Sequence, residues 1–312
     1  MKVVSGRGSL DRGPRGPKAL AIGVFDGVHR GHKKILKVLC RIARQRGMLS
    51  AVVTFETHPT RTLSRKDPVL HLASLSHKLL LLEREGVDVC YVIDFTPSFA
   101  GLDPEAFIKN ILIDKIGMRA LVVGEDFVFG RKACGDVALL GALSRRFGFT
   151  FKAVPHLKVR REAVSSTLIR RLITEGDLAR AAALCGRPVS IFGKVVAGEG
   201  RGRTLGFPTA NVATQHEALL PDGIYASRAC CCGRWRRAVA YIGTKPTFSK
   251  DRASRSVEVH IFGFKRNILG RSLEIEFLKK IRSDRKFPDA AALVAQMRED
   301  ARAAKKFLKH IF

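Results

Sequence analysis

The most constraining feature lies near the start of the chain. The apolar run at residues 19–22 passes into Gly23-Val24-Phe25-Asp26-Gly27-Val28-His29-Arg30-Gly31-His32, and then into a segment with Ile35, Leu39 and Ile42 at helical spacing. A buried strand, a glycine-punctuated loop and a helix in that order predict the first crossover of a βαβ unit. Gly23 and Gly27 let the backbone turn tightly and approach a ligand, and Gly31 leaves room between two imidazoles. A helix start offers unpaired N–H groups and partial positive charge, which suits a phosphate. His29 and His32 can donate to the same anion. Alone, two histidines at a helix start are more often caps or surface residues; the strand and glycine loop before them favour a phosphate site.

The alternation continues. Residues 51–55 and 87–93 read as strands, with a helix around residues 77–85 between them. Asp103-Pro104-Glu105 opens another helix, with Asp103 as cap and Pro104 in the first turn. A strand at 120–123 runs into Gly124-Glu125-Asp126-Phe127-Val128-Phe129-Gly130. Strands and helices alternating at this spacing predict a parallel, doubly wound sheet, with ligands at the carboxyl ends of its strands. Val164-Ser165-Ser166-Thr167-Leu168-Ile169-Arg170 then enters a helical pair. Ser166 or Thr167 serves as its N-cap, and the same hydroxyls with Arg170 one turn in also make an anion site.

After Cys185-Gly186-Arg187-Pro188 the pattern changes to short β-like runs at residues 189–196, 223–229, 235–242, 256–262 and 273–277. Short strands with turn signals between them predict a small antiparallel barrel, closed by an amphipathic helix over 289–308. The expected division is a flexible lead-in at 1–18, an α/β domain at 19–186 and a barrel domain at 187–312. Four glycines between residues 198 and 206 make a loop able to wrap a phosphate chain with backbone N–H groups. It is not a Walker loop, since no Gly-x-x-x-x-Gly-Lys-Ser/Thr occurs.

Composition excludes several classes. The 312 residues, 46% of them hydrophobic, suffice for two cores. No apolar run approaches the ~18 residues of a membrane span, and no cleavable leader is read, so a cytoplasmic location is expected. Seven cysteines without a Cys-x-x-Cys pair argue against a disulfide framework or a zinc site. On a strand, Cys230, Cys231 and Cys232 alternate between faces and cannot all aim at one metal. The net charge of +28 invites a nucleic-acid reading. Yet 27 of the 56 Lys and Arg lie at or before residue 160, so the charge is spread, and no nucleic-acid-binding motif accompanies it. It reads as a solvated surface that also attracts polyphosphates.

The motifs carry a resemblance. Gly-x-Phe-Asp-Gly-Val-His-x-Gly-His resembles the nucleotidylyltransferase superfamily, and in this form the prokaryotic bifunctional riboflavin kinase/FMN adenylyltransferase family, or FAD synthetases. Phe55-Glu56-Thr57-His58-Pro59 is similar to the family's Phe-Glu-Pro-His-Pro. The Asp126 loop followed by Gly135-Asp136 also matches, except at Val128, where arginine is common. Ser165 to Arg170 resembles the superfamily's second phosphate motif. In the C-terminal half, Gly206-Phe207-Pro208-Thr209-Ala210-Asn211 resembles the riboflavin kinase signature, as do residues 221–225, 242–248 and 257–261.

The resemblance implies a nucleotidylyltransferase domain of Rossmann-like fold, plus an antiparallel β-barrel riboflavin kinase domain with a C-terminal helix. It implies that riboflavin is phosphorylated by ATP to FMN, and FMN adenylylated by a second ATP to FAD and pyrophosphate. Gly23, Phe25, Asp26, Gly27, His29, His32, His58, Asp126, Ser166, Thr167 and Arg170 would serve the adenylyltransferase nucleotide, with Asp126 near adenine or ribose; from the residues alone Asp126 is equally a turn carboxylate. Gly200, Gly202, Arg203, Gly206, Pro208, Thr209 and Asn211 would serve the kinase nucleotide, Thr209 and Asn211 ligating Mg²⁺. Glu258 corresponds to the catalytic glutamate; from the residues alone it is an outward-facing strand carboxylate. After Phe262 the family's Asp-Phe-x-x-x-Leu-Tyr-Gly is replaced by Gly263-Phe264-Lys265-Arg266-Asn267-Ile268-Leu269-Gly270, which leaves a single-activity adenylyltransferase with an impaired kinase as the alternative. A basic nucleic-acid-binding relic is the other. The expected partners are ATP, riboflavin and FMN/FAD, with no specific nucleic acid and no membrane; a homo-oligomer is left open.

Overall fold

The computed structural model describes residues 1–56, 69–198, 200, 202, 205–244, 255–309 and 311. His58 and Arg203 from the expected sites, and residues 245–248 of a matched motif, lie outside this set. By internal contacts the chain divides into two units, Met1–His71 with Lys78–Ser166, and Leu72–His77 with Thr167–Phe312.

The first unit is built on a six-stranded sheet of β1 (Lys2–Ser5), β2 (Lys18–Ile22), β3 (Leu49–Phe55), β4 (Val89–Ile93), β5 (Met118–Gly124) and β6 (Thr150–Val154). The order is β1-β4-β3-β2-β5-β6, and every pair is parallel. β2 and β4 are buried along their whole length, as continuous apolar runs in a covered parallel sheet must be. The order reverses at β2, where the chain first winds outward through β3 and β4 and then crosses to β5 and β6. Crevices outside the carboxyl ends at such a reversal are where doubly wound sheets bind ligands, and the loops at Gly23 and Gly124 both begin there.

The helices follow local rules. α1 (Arg30–Gln45) starts at the glycine loop and α2 (Leu75–Arg84) precedes β4. The short α3 (Pro97–Ala100) has Thr96 as cap. In α4 (Pro104–Ala106) Asp103 Oδ1 accepts the N–H groups of Glu105 and Ala106 at 3.0 and 3.1 Å, as the sequence predicts. That turn runs on into a π-helix, Phe107–Lys115, which buries Phe107, Ile108, Ile111 and Leu112. α5 (Val137–Phe147) then leads to β6, and the two-residue strands β7 (Lys158–Val159) and β8 (Glu162–Ala163) form a small ribbon.

One expectation is corrected here. Residues 1–18 are not a flexible lead-in: β1 pairs with β4 from Lys2↔Val89 to Ser5↔Val92, and Leu10, in a following 3-10 turn, is 1% exposed within the core. Four residues suffice because β4 already offers an open ladder, and Gly6 with φ 86° turns the chain off it.

The second unit begins with α6 (Ser166–Glu175) and α7 (Leu178–Cys185), Ser166 itself counting with the first unit. Then come β9 (Val189–Val196), β10 (Ala210–Thr214), β11 (Gly223–Cys231), β12 (Arg234–Thr244), β13 (Arg255–Ile261) and β14 (Ser272–Ser283). They close into a barrel in the order β10-β13-β12-β11-β14-β9. Five of these strands are visible in the sequence; β10 is hidden because its first residues are the end of the glycine loop motif. Along β13, Val257, Val259 and Ile261 are buried while Ser256, Glu258 and His260 alternate on the opposite face. The final helix, α8 (Ala290–Leu308), is capped by Asp289, whose carboxylate accepts the Ala292 N–H at 2.7 Å, a feature worth ~1 kcal/mol. It lies on β11, β12 and β14, with Ala304 and Leu308 packed on Ala226. The Arg282–Asp300 ion pair at 2.8 Å ties it to β14.

Candidate active sites

In the first unit, the loop after β2 holds two non-glycine residues in the left-handed region, Phe25 at φ 50° and Val28 at φ 38°, with Gly27 at φ 75° between them. Phe25 and Val28 are nonetheless buried, at 1% and 0% exposure. Such backbone persists only where its surroundings over-determine it, and three hydrogen bonds do so. Thr54 Oγ1 donates to Val24 O at 3.0 Å, Val28 N to Phe25 O at 3.2 Å, and Ser166 Oγ to Asp26 O at 3.0 Å.

His29 is the N-cap of α1. Its Nδ1 accepts the backbone N–H of His32 at 3.3 Å, and the two imidazoles stack with centroids 3.7 Å apart and planes 13° from parallel. Because Nδ1 accepts, the ring proton sits on Nε2. A Cβ at Gly31 would lie 3.1 Å from His29 Cε1, so a side chain there would press on the ring. The first turn of α1 holds no acidic residue, so its own side chains add no negative charge at the positive end of the helix.

These residues line a cavity of ≈ 620 Å³ at the carboxyl edge of the sheet, with the β5 loop on its far side. Its apolar wall is a run of phenylalanines. Phe55 meets Phe95 edge-on at 5.2 Å, Phe99 meets Phe107 at 5.6 Å, and Phe127 stacks on Phe129 at 5.6 Å. A cavity that is mostly apolar with a few convergent polar groups fits a nucleotide together with a flat aromatic ring. Asp126 stands on the rim with its side chain 69% exposed, 3.6 Å from His156 Nε2.

The cap reading of Ser166 and Thr167 is corrected. Ser166 is already the first residue of α6, and its hydroxyl donates to Asp26 O instead of accepting from the helix. The cap position falls one residue earlier, at Ser165. Thr167 and Arg170 follow on the same helix.

In the second unit, Thr209 Oγ1 donates to Glu258 Oε2 at 3.2 Å. Asn211 on β10 stands directly opposite Glu258 on β13, and Tyr241 on β12 flanks it on the other side. The glycine loop folds back over this group: a Cβ on Gly202 would collide with Phe207 O and lie 3.0 Å from Thr209 Oγ1, and one on Gly198 would strike the Asn211 amide. Phe207 N donates to Gly202 O at 2.7 Å, and His260 Nδ1 donates to Pro208 O at 2.9 Å. Gly200 and Gly206 take φ 72° and 80°. Hydroxyl, amide and carboxylate oxygens in one place are hard donors that suit Mg²⁺ on a nucleotide. Among the described residues no group of three or more His, Cys, Asp or Glu could hold a metal, so a cation here would share its shell with phosphate and water.

Sequence reading missed two features. Tyr241 donates to Asp284 Oδ2 at 3.0 Å, and burial, reinforced by Asp284, pushes its phenol up to about 12. The phenylalanine wall was missed because its members come from five separate segments, each an ordinary apolar residue in its own context. The departing segment after Phe262 forms a turn: Phe264 N donates to Ile261 O at 3.4 Å, Leu269 N to Asn267 Oδ1 at 2.9 Å, and Gly263 takes φ 67°.

A parallel sheet with a phosphate-type loop at its reversal, joined in one chain to a closed barrel with a hydroxyl–amide–carboxylate cluster, defines a nucleotide-using transferase with two sites. Residues 13–168 match the FAD synthetase family profile, and residues 185–308 match that of riboflavin kinase. The chain belongs to the bifunctional riboflavin kinase/FMN adenylyltransferase family. Proteins of that description are 38% identical in Listeria monocytogenes, over 93% of this chain and 92% of the relative, and 36% identical in Haemophilus influenzae, over 98% and 99%. The Escherichia coli K12 protein of that name is 34% identical over 98% of both chains. A solved structure described as a macrolide-efflux protein from Streptococcus pneumoniae aligns with TM-score 0.82 and 29% identity, covering 97% of this chain and 99% of that one. Among the described residues no helix is long and apolar enough to cross a membrane.

Proposed function

We propose that the chain carries the last two steps of FAD synthesis, one in each unit. The barrel unit phosphorylates riboflavin to FMN with ATP, and the sheet unit adenylylates FMN with a second ATP, releasing pyrophosphate. The observation that carries this reading is the pairing of Thr209 with Glu258 in one unit and the capped, stacked His29–His32 pair in the other.

In the barrel unit Glu258 takes the proton of the ribityl 5′-hydroxyl as its oxygen forms a bond to the γ-phosphorus and the β–γ bridge breaks, leaving FMN and ADP. The Thr209 hydroxyl, 3.2 Å from the carboxylate, orients it. Mg²⁺ would be held by the Thr209 hydroxyl and the Asn211 amide oxygen, and would neutralise charge on the ATP phosphates. Gly200, Gly202, Gly206 and Pro208 bring backbone close to the phosphate chain.

In the sheet unit a phosphate oxygen of FMN attacks the α-phosphorus of ATP, and the bond to the bridging oxygen of pyrophosphate breaks. Gly23, Phe25, Asp26 and Gly27 shape the loop, and His29, His32 and the start of α1 donate to the charge that develops. Ser166 supplies the second phosphate contact, the motif's Thr167 and Arg170 following it on α6, and Asp126 faces the nucleoside. A well-placed donor in this role is worth about 3 kcal/mol of barrier. The phenylalanine wall takes the flavin ring.

The partners are therefore ATP, riboflavin, FMN and FAD. The high positive charge draws anionic nucleotides toward both sites and is read neither as a specific nucleic-acid surface nor as a membrane anchor. A chromatographic time course of riboflavin with excess ATP and Mg²⁺, beside one begun from FMN, tests the assignment. FMN followed by FAD is expected in the first and FAD in the second; turnover of neither flavin overturns it, and turnover of FMN alone removes the kinase half.

A further inference from the structure

Behind the phosphate-type loop of the first unit lies a buried cation that no step above uses. Lys78, on α2, is 4% exposed. Its Nζ donates to Phe55 O at 3.0 Å and to Thr54 Oγ1 at 3.3 Å, and Thr54, itself fully buried, passes a hydrogen bond to Val24 O at 3.0 Å. Val24 and Phe55, the exits of β2 and β3, both line the cavity, whereas Lys78 does not. Asp26, 2% exposed, sits in the same loop.

We infer that Lys78 is a positioning residue for adenylyl transfer, fixing the Val24–Asp26 loop against the end of β3. The inference rests on reading the cavity as the adenylyl-transfer site.

Three observations support it. A lysine is almost never this buried without a partner that repays its desolvation, and here the acceptors are Phe55 O, from a residue of the cavity wall, and Thr54 Oγ1, which bonds on to Val24 O of that wall. The loop holds Phe25 and Val28 at positive φ, so it needs an external brace, and Lys78 with Thr54 supplies one from below while Ser166 supplies one from Asp26 O. Finally, Asp26 in the same loop is buried, and a carboxylate near an ammonium favours the charged form of both. Burial pulls the Lys78 ammonium below its ordinary value, and the nearby Asp26 carboxylate, with a smaller effect from Cys90, works to hold it charged.

The test replaces the ammonium and keeps the shape. In the whole chain, Lys78→Met is expected to lower kcat/KM for ATP in FMN adenylylation by about 30-fold, mostly through KM, because it releases the loop that shapes the phosphate site and takes the ammonium from its buried carboxylate. Riboflavin phosphorylation by the same molecules stays within about twofold, which reports that the chain has folded. Adding Asp26→Asn to Lys78→Met is expected to recover about 10-fold, since it removes the negative charge that the ammonium had faced, whereas a packing role predicts further loss. Should Lys78→Met fold poorly, Thr54→Val breaks the relay to Val24 at constant shape and is expected to cost about fivefold in adenylylation. Adenylylation by Lys78→Met within threefold of the parent, a double variant no better than the single one, or an unchanged Thr54→Val overturns the inference. A parent chain that makes no FAD from FMN overturns the underlying reading instead.

Discussion

His29 Nδ1 accepts the backbone N–H of His32 at 3.3 Å while the two rings stack at 3.7 Å. One side chain thus does two jobs: it caps α1 and, through the tautomer that capping selects, presents Nε2–H as a donor. Asparagine can cap but cannot reproduce that donor. His29→Asn and His29→Ala are both expected to slow FAD formation from FMN by about 100-fold, with only the alanine variant losing ~1 kcal/mol of stability. Steady-state rates beside thermal unfolding check this, and an asparagine variant of normal activity would reduce His29 to a cap.

The phenylalanine wall makes a separable prediction. Phe95 is half-buried and meets Phe55 edge-on, so truncating it removes ring contact without opening the deep core. Phe95→Ala is expected to raise KM for FMN in adenylylation about tenfold and to leave riboflavin phosphorylation unchanged. Equal loss in both assays would contradict a flavin contact at this position.

In the barrel unit, Gly202 has no room for a side chain, because a Cβ there would meet Phe207 O and Thr209 Oγ1. Gly202→Ala is expected to displace the loop from Thr209 and lower the kinase rate by about 10- to 100-fold, with FMN adenylylation intact. A kinase at the parental rate would mean that the loop does not shape the phosphate site.

Acid sensitivity of the barrel unit follows from a buried cluster. His216 Nε2 accepts the Phe192 N–H at 3.2 Å and lies 3.2 Å from His77 Nδ1; the Leu72 backbone and Arg187 are also near it, and Glu274 and Ser190 meet His77 Nε2 at 3.4 Å. Burial, with His77 next in effect, holds His216 well below the ordinary 6.5. Between the folded value and 6.5 the unfolded chain binds a proton that the native chain does not. Stability is therefore full above pH 6.5 and falls as pH drops below it, by up to ~1.4 kcal/mol per unit for one proton. The chain's one tryptophan, Trp235, is on β12, so its fluorescence in denaturant titrations follows this unit. His216→Gln is expected to flatten the decline between pH 7 and 5, and an unaltered slope would remove His216 as its source.

Much of the architecture was legible because its signals are local. The strand, glycine loop and helix at residues 19–45 need only their own neighbours, as does the Asp103–Pro104 helix start, and the alternation on β13 marks which residues leave the barrel interior. What stayed hidden depends on distant chain. β1 is a strand because β4 offers it a ladder, and its four residues carry no period of their own. Lys78, within Ser76-His77-Lys78-Leu79, looks like any solvated helix lysine until the fold buries it under Thr54 and Phe55. Ser166 looked like a cap because serine at a helix start usually is one; the acceptor that claimed its hydroxyl, Asp26 O, lies 140 residues away in sequence. Glu258 could be placed on an outer face by alternation, but its partner Thr209 comes from a loop whose path no periodicity describes.

The central claim, two activities in one chain with separate chemistry, is tested most directly by giving Glu258→Gln riboflavin and FMN in parallel reactions with ATP and Mg²⁺. The account predicts riboflavin conversion reduced by at least about 100-fold with FMN converted to FAD at the parental rate. Undiminished FMN formation from riboflavin, or loss of both conversions together in a folded protein, would contradict it.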